Sequence, residues 1–304
     1  MKIPTIYKVP VFVLAGKSPA SKIIGEEANN LAVDNKALIK FNNESMLERV
    51  VKSFLEAERI GDVYVCASKD EARGIWNSLS KEVRASEGVH LISSNEEYID
   101  KVLEKAFKSI GLADEEYALI SSSDTPLLNH EHLNSFIEKV FEQAGYDVIV
   151  PYTTIQLIEE KYPGLKRRKM VDLVTNDYSP EKIISQDEKL HGIRTANMFL
   201  VNKKFVDDYS QIIRFLFDER KGGLYPIVKD VLFRMIKKLD FNTLVNLGLK
   251  FVNKKLSIED VEYLVERTYG IFGRGVCVEP EFCIDVDYKE HYDDLVKYLD
   301  KHSN

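Results

Sequence analysis

The sequence has little cysteine and no long apolar run, and both shortages limit what the protein can be. Its three cysteines, Cys66, Cys277 and Cys283, form no Cys-x-x-Cys pair, so neither a disulfide framework nor a zinc site is expected. No stretch of roughly 18 apolar residues is present, as a membrane-spanning helix would require. The run Val9–Leu14 is too short for the apolar region of a signal peptide and is interrupted by Pro10. We therefore expect a cytoplasmic protein.

The chain also lacks the excess of basic residues that marks many nucleic-acid-binding proteins. Its net charge is −7 at pH 7, so no nucleic-acid partner is expected. The proportions of hydrophobic and charged residues, 44% and 30%, are those of an ordinary globular protein. A chain of 304 residues is long enough to bury a sizeable core, and we expect one domain spanning 1–304.

Strand-like and helix-like segments alternate through the first half of the chain. Strands are expected at Val9–Leu14, Ala37–Phe41, Val63–Ala67, Val89–Ile92, in the run that ends before Asp124, and at Asp147–Pro151. The helices expected between them follow Ser45 or span Asp70–Leu79, Glu97–Ile110 and His130–Gln143. This alternation predicts a three-layer α/β fold with a mostly parallel sheet covered on both faces.

The pattern changes in the C-terminal half. From about 203 to 270 the apolar residues recur at helical spacing, which predicts a helical insertion packed on the sheet. A strand is expected before it at Phe199–Val201, and two strands after it at Gly275–Val278 and Phe282–Val286. An amphipathic helix from Lys289 to about Leu299 ends the fold.

Two short segments have the composition of a capping box, in which the first and fourth residues satisfy each other's backbone N–H groups. Ser45 with Glu48 predicts the start of one helix, and Ser257 with Asp260 predicts the start of another. Both segments precede apolar residues at helical spacing, which supports this interpretation.

One segment of the insertion has two interpretations. The stretch Phe241–Val252, with Lys250, Lys254 and Lys255 nearby, is amphipathic and could contact a membrane or a lipid-linked acceptor. Packing of a helix on the sheet accounts for the same pattern, and we favour it.

The most informative single residue is Asp124. The apolar run from Tyr117 to Ile120 leads into serines and then Asp124, and Pro126 follows two residues later. The proline ends the strand, so Asp124 is expected at the carboxyl end of a strand, where open α/β sheets bind ligands. A carboxylate there suits Mg²⁺, which takes few protein ligands and retains phosphate and water oxygens. The alternative is an aspartate that caps the next turn.

The segment between Gly16 and Lys36 is unusually long and polar for a connection. Loops of this length are typically functional or disordered, and this one follows the first strand, so we expect it beside Asp124. Gly16-Lys17-Ser18 is similar to the end of a P-loop, but that motif requires a glycine where Val11 stands, and we reject it.

Four segments, taken in order, resemble the MobA-like NTP transferase family. They are Val11–Gly16, Asn35–Glu48, Ser123–Leu128 and Asp285–Asp287 with the helix after it. Weaker similarity in the middle of the chain indicates a bacterial branch of this family that carries a helical insertion. The resemblance implies a nucleotide-diphospho-sugar transferase-like (GT-A-like) fold.

The resemblance also implies a nucleotide and metal site. In the family an NTP lies along the first loop, an acceptor oxygen attacks the α-phosphorus and pyrophosphate leaves. The implied nucleotide-binding residues are Leu14, Ala15, Gly16, Lys17 and Lys36, and the implied metal ligands are Asp124, Asp287 and, with weaker support, Asp285. Lys36 and Asp124 are the implied catalytic residues. Without the family, Lys36 would be taken for a solvated loop lysine and the two C-terminal aspartates for surface charges or helix caps.

A phosphorylated small-molecule acceptor is implied as the second substrate. Arg167 or Arg168, in a basic run, could hold its phosphate through paired hydrogen bonds, and Asn197 matches a position near the acceptor pocket of the family. A solvated basic face and a turn asparagine are the alternatives.

The sequence departs from the family pattern at Lys17, which stands where a second glycine is usual. Two further functions stay open. One is a glycosyltransferase on the same type of fold that uses a nucleotide-sugar donor. The other is a non-catalytic protein that binds nucleotides, and the departure at Lys17 and the long loop support it.

Overall fold

The computed structural model describes residues 8–16, 34–41, 43–96, 99–141, 145–165, 167, 169–175, 189–209 and 237–302. Two of the expected site residues, Lys17 and Arg168, lie outside these ranges. So does the centre of the expected helical insertion, at residues 210–236.

The fold is built on a mixed, mostly parallel nine-stranded sheet, which confirms the expected α/β class. Its strands are β1 (Val9–Leu14), β4 (Ile60–Ser68), β5 (Val89–Ser94), β6 (Tyr117–Ser122), β7 (Val148–Thr154), β8 (Val171–Thr175), β9 (Lys189–Thr195), β10 (Met198–Asn202) and β11 (Gly273–Cys277). The order across the sheet is β5-β4-β1-β6-β10-β7-β9-β8, with β11 paired to β7. A separate hairpin consists of β2 (Lys40–Phe41) and β3 (Glu44–Ser45).

Most strands of the sheet run in one direction. The two exceptions, β9 and β10, lie end to end. β1 pairs in parallel with β4 and β6, whereas β10 runs antiparallel to both β6 and β7. β9 runs antiparallel to the second half of β7, so β9 and β10 follow each other along the same edge of that strand. The junction between them contains Asn197, which is therefore held at the middle of the sheet.

Helices cover both faces of the sheet, as the sequence predicts. They are α1 (Met46–Glu56), α2 (Ala72–Ser78), α3 (Lys81–Ala85), α4 (Ile99–Ile110), α5 (His130–Phe141), α6 (Ile155–Lys161), one at residues 203–209, α7 (Phe241–Val252), α8 (Ile258–Tyr269) and α9 (Lys289–His302). Because side chains alternate along a strand, Val11 and Val13 of β1 pack in one core with α1 and α5. Phe12 faces the other way and packs with Leu103 and Phe107 of α4.

The expected helix starts at Ser45 and Ser257 are confirmed. The Ser45 hydroxyl accepts a hydrogen bond from the Glu48 N–H, and Ser257 forms a complete capping box with Asp260. Glu48 uses its carboxylate differently, because Oε1 accepts from the N–H of Ser80.

The expected strand Ala37–Phe41 was wrong in part, and the expected strand Phe282–Val286 was wrong. Residues Lys36–Leu38 form a turn of 3-10 helix before β2, and Asn35 caps it through its side chain. Pro280–Cys283 form another such turn. Pro280 stands at the start of this turn, where its missing N–H and fixed φ are compatible with a helix.

Helix α7 packs less extensively than expected. It buries Leu247 against a small cluster that includes Leu239 and Leu264, while Phe241 and Phe251 remain exposed. Across the described ranges, no helix combines the length and the apolar character that crossing a bilayer takes.

The packing of Phe12 on one face of the sheet can be tested by substitution. Its ring is completely buried and stacks on Phe107 with centroids 4.9 Å apart and on Tyr64 at 5.3 Å. We expect Phe12→Ala to lower the free energy of unfolding by about 3–5 kcal/mol, measured by urea denaturation. The matched control is Phe241→Ala, since Phe241 is 78% exposed and its loss should change stability by roughly 0.5 kcal/mol or less. Equal effects of the two substitutions would contradict the placement of Phe12 in the core and of Phe241 at the surface.

Candidate functional site

Asp124 lies just beyond the carboxyl end of β6 and is almost completely buried, with 4% of the residue exposed. The hydroxyl of Ser122, the last residue of the strand, donates a hydrogen bond to Asp124 Oδ1. Pro126 has no N–H for a further sheet bond, so the chain turns away from the sheet here. The carboxylate is thereby held at the edge of the sheet that the sequence predicts.

Asp285 and Asp287 reach this edge from the C-terminal end of the chain. After the turn Pro280–Cys283 the backbone passes Asp124, and the Val286 N–H donates a 3.1 Å hydrogen bond to the Asp124 carbonyl. The Val286 side chain is completely buried in the core. One backbone hydrogen bond and one apolar anchor therefore place an aspartate on either side of Val286 next to Asp124.

Lys36 joins the two predicted metal ligands. Its ammonium forms an ion pair with Asp124 Oδ2 and lies 3.0 Å from Asp287 Oδ1. These contacts bridge sequence separations of 88 and 251 residues. Lys36, Asp124 and Asp287 thus form one compact charged group, which we call the lysine–aspartate triad.

The electrostatics of this triad favour its charged form. Burial by itself lowers the pKa of the Lys36 ammonium, but the charges of Asp124 and Asp287 outweigh it, and the pKa lies above its usual value. Burial also tends to raise the pKa of Asp287, but the Lys36 charge and hydrogen bond hold that pKa below its usual range. The ammonium is therefore protonated, and Asp287 ionised, at neutral pH.

The turn that carries Lys36 is anchored to the end of β1 by Asn35. Its Nδ2 lies 3.2 Å from the carbonyl oxygen of Ala15 and 3.0 Å from that of Gly16, and its Oδ1 accepts from the Ala37 N–H. The same Nδ2 donates to the carboxylate of Glu71 at 3.0 Å. The predicted nucleotide-binding residues Leu14 to Gly16 are thereby fixed beside Lys36.

A second cluster surrounds Asp285, which is 4% exposed. Arg194 Nη2 donates to Asp285 Oδ1 at 2.7 Å, and Asn197 Nδ2 donates to Oδ2 at 2.9 Å. Arg194 also donates through Nε to the carbonyl oxygen of Cys283 at 2.8 Å, and Arg167 donates to the Asp285 carbonyl oxygen at 3.2 Å. The structure therefore brings two predicted acceptor-binding residues, Arg167 and Asn197, to the site.

The two C-terminal aspartates differ in environment. Burial raises the pKa of Asp285 to about 6, even though the guanidinium of Arg194 lies beside it. Both of its carboxylate oxygens already accept hydrogen bonds, from Arg194 and Asn197. The side chain of Asp287, in contrast, is 42% exposed. Asp287 is thus better placed to bind a ligand, and the role of Asp285 as a metal ligand stays a prediction.

Sequence reasoning missed four residues that shape the site: Ser122, Arg194, His291 and, as an anchor, Asn35. Arg194 lies three residues before the predicted Asn197. A basic residue so close to a candidate phosphate-binding residue is a sequence signal that could have identified Arg194.

His291 lies beside Asp287. Its Nδ1 lies 3.4 Å from the backbone nitrogen of Asp287, and burial, with the charge of Arg167, lowers the pKa of His291 to about 4. Its imidazole is therefore neutral at neutral pH and able to accept.

The residues present fit a magnesium ion by their chemistry. Asp124 and Asp287 offer only oxygen atoms, which are the ligands Mg²⁺ prefers, and their carboxylates already converge on a single cation, the Lys36 ammonium. The exposed part of Asp287 faces solvent, so further ligands could be water or phosphate oxygens, as is usual for Mg²⁺.

Solved structures share this fold at low sequence identity. A hypothetical transferase from Thermus thermophilus matches with a TM-score of 0.63 and 19% identity, over 93% of this chain and 99% of that one. A CMP:2-keto-3-deoxy-manno-octonic acid synthetase complexed with CTP matches with a TM-score of 0.55 and 13% identity, over 97% and 99%. HddC from Yersinia pseudotuberculosis matches with a TM-score of 0.52 and 13% identity, over 96% and 99%. These similarities show the fold alone.

The sequence itself matches a family. None of the curated proteins matches the chain significantly. The model of the MobA-like NTP transferase domain, however, matches residues 24–186, which is just over half of the chain and includes Lys36 and Asp124. The chain therefore belongs to the MobA-like NTP transferase family, a family of nucleotidyltransferases.

Proposed function

We propose that the protein transfers an NMP group from an NTP to a phosphorylated small-molecule acceptor, in a Mg²⁺-dependent reaction that releases pyrophosphate. The observation that carries this proposal is the lysine–aspartate triad beside the end of β1. It brings a cation for phosphate and two carboxylates for a metal to the edge of the sheet where α/β folds bind ligands. If the triad served only as a buried ion pair that stabilises the fold, nothing would require Asp287 to be partly exposed.

In the proposed reaction an oxygen of the acceptor attacks the α-phosphorus of the NTP. The bond between the α-phosphorus and the bridging oxygen breaks, and pyrophosphate leaves with the electron pair. A bound Mg²⁺ would supply positive charge that offsets the negative charge developing on the phosphate oxygens. Asp124 and Asp287 would hold it, and Lys36 would place a fixed positive charge against the triphosphate.

The nucleotide would lie along the carboxyl end of β1. The backbone of Leu14, Ala15 and Gly16 would contact it, and Lys17 is proposed to contribute from the loop that follows. A Cβ atom added at Gly16 would meet no atom of the described residues within 4 Å, which leaves space for a ligand as far as these residues are concerned. One of the structures with this fold is a synthetase complexed with CTP, which supports an NTP at this site.

The acceptor would bind at the cluster around Asp285. Arg167 and Arg194 supply guanidinium groups that suit a phosphate or carboxylate, and Asn197 offers an amide; Arg168 is proposed as a further contact. Such an acceptor is a small anion rather than a nucleic acid, and we place the reaction in the cytoplasm, in keeping with three buried free cysteines. A lipid-linked acceptor at the exposed face of α7 is the less favoured alternative.

The metal assignment predicts the effect of Asp124→Asn. Loss of one carboxylate that holds Mg²⁺ should remove several kcal/mol of transition-state stabilisation, so kcat should fall about 1,000-fold. The measurement is pyrophosphate release, with the four NTPs tested against pooled phosphorylated metabolites and with Mg²⁺ present or chelated.

Asp300→Asn is the matched control, because Asp300 is exposed on α9 and should keep full turnover. Thermal melting of both variants separates lost chemistry from lost folding. Full turnover in Asp124→Asn, or release of a nucleoside diphosphate from a nucleotide sugar in place of pyrophosphate, would contradict the proposed reaction.

The nucleotide assignment predicts that Gly16→Ala weakens NTP binding without harming the fold. The added methyl group meets no atom of the described part of the chain within 4 Å but occupies space that a close-lying nucleotide needs. We expect the KM for the NTP to rise about tenfold, equivalent to roughly 1.4 kcal/mol, with an unchanged melting temperature. An unchanged KM would show that no nucleotide approaches this backbone.

The acceptor assignment predicts a selective effect of Arg194→Gln. Loss of a charge-assisted hydrogen bond costs about 1.5–3 kcal/mol, so the KM for the acceptor should rise roughly 10- to 100-fold while the KM for the NTP stays nearly constant. Arg274→Gln is the control, because Arg274 on β11 pairs with Glu262 on α8 at 2.9 Å and is not part of the cluster around Asp285. A rise in both KM values, or in neither, would rule out an acceptor role.

A further inference from the structure

A second group of potential metal ligands lies apart from the lysine–aspartate triad. It contains His132 on α5 together with Glu279 and Glu281, which flank Pro280 at the start of the C-terminal 3-10 turn. One ligand atom from each of these residues lies within 4.8 Å of the others. The group therefore has the size of a site for a single ion.

The buried atoms of this group indicate that a ligand belongs between them. Glu281 is only 4% exposed, and its Oε2 is buried without a hydrogen-bond partner among the described residues. His132 Nδ1 is also buried without one, and it lies 3.8 Å from that oxygen. This separation is too long for a hydrogen bond, and each unsatisfied buried polar atom costs about 1–3 kcal/mol. Two such atoms facing each other at this distance are better explained by a cation between them.

We propose that His132 Nδ1, Glu281 Oε2 and a carboxylate oxygen of Glu279 bind a divalent transition-metal ion of the zinc type. Ligand atoms about 2.1 Å from zinc can lie up to about 4.2 Å apart across the ion, and the 3.8 Å separation fits this limit. An imidazole nitrogen suits zinc but neither Mg²⁺ nor Ca²⁺, which prefer oxygen alone. The site is therefore chemically distinct from the all-oxygen site at Asp124 and Asp287.

The neighbouring residues prepare Glu281 for this role. Its Oε1 accepts a hydrogen bond from the Tyr162 hydroxyl, which fixes the carboxylate so that Oε2 points toward His132. Metal ligands are commonly oriented by such a second hydrogen bond.

Lys161 is the competitor of the proposed ion. Its ammonium lies 2.8 Å from Glu279 Oε2 and 3.1 Å from Glu281 Oε1, and the side chain is 38% exposed. The Lys161 ammonium offsets the negative charge of the two carboxylates when no metal is bound. Because the side chain is partly exposed, it can move into solvent when a divalent ion binds. Binding would tie α5 to the turn that leads into Asp285, and this inference does not depend on the proposed function.

The test is zinc binding to the full chain carrying Asp124→Asn, after treatment with a chelator. The substitution weakens the triad as a competing site, so zinc that binds reports on the second group. We expect one zinc ion per chain, measured by calorimetry and elemental analysis, with a higher melting temperature when zinc is present. His132→Ala in the same background should weaken binding by more than about 100-fold, the upper range for loss of a residue that only orients a metal ligand.

Two further variants make the test decisive. His130→Ala is the matched control, since His130 lies on the same helix, is 43% exposed and pairs with Glu56; it should bind zinc like its parent. Lys161→Met leaves all three ligands in place and removes the competing charge, so it should bind zinc several-fold more tightly. Absence of saturable zinc binding, equal losses in the His132 and His130 variants, or unchanged or weaker binding in Lys161→Met would overturn the proposal.

Discussion

The site depends on one ion-pair group in which a single ammonium is shared by two carboxylates. Lys36 contacts both Asp124 and Asp287, and these residues come from the two halves of the chain. Like charges at close range repel each other, most strongly where they are buried, so a cation between the two aspartates stabilises both of them at this edge of the sheet. Lys36 supplies that cation in the protein alone, and the same requirement makes the place suitable for a metal ion and a triphosphate.

Two local devices hold this group in place. Asn35 fixes the turn that carries Lys36 to the carbonyl oxygens at the end of β1, and the Val286 N–H joins the C-terminal segment to the Asp124 carbonyl. The C-terminal aspartates then divide into two roles by burial. Asp287 remains partly exposed and ionised, whereas Asp285 is buried and organises Arg194 and Asn197. We propose that this division separates a metal side from an acceptor side of the site.

The sequence predicted those parts of the site that follow strong local signals. An apolar run that stops at a carboxylate and a proline was sufficient to place Asp124, and alternating apolar runs were sufficient for the central strands and their helices. Arg194 was missed because its role depends on the antiparallel β9 running along β7, and antiparallel pairing within a mostly parallel sheet leaves little trace in composition. Phe282–Val286 was assigned to a strand because a short apolar segment does not distinguish a strand from a tight turn.

Family resemblance indicates which residues have a role in the site, and the structure shows how these residues contact each other. Resemblance gave Lys36 and Asp287 their expected roles, since neither a loop lysine nor an aspartate after a strand is informative by itself. The contact between them is what geometry adds, and it also shows that Asp285 is engaged by Arg194. The orientation of Glu281 toward His132 depends on a hydrogen bond from Tyr162, which no sequence pattern indicates.

The central claim is that Asp124 and Asp287 act together on one divalent ion beside a triphosphate. The most direct test is the affinity for Mn²⁺, followed by its paramagnetic resonance signal, in the presence of a non-hydrolysable NTP. The account predicts that Asp124→Asn and Asp287→Asn each weaken Mn²⁺ binding strongly, and that the double variant is scarcely worse than either single one, because both act on the same ion. Additive losses, or Mn²⁺ binding that is unaffected by Asp287→Asn, would contradict it.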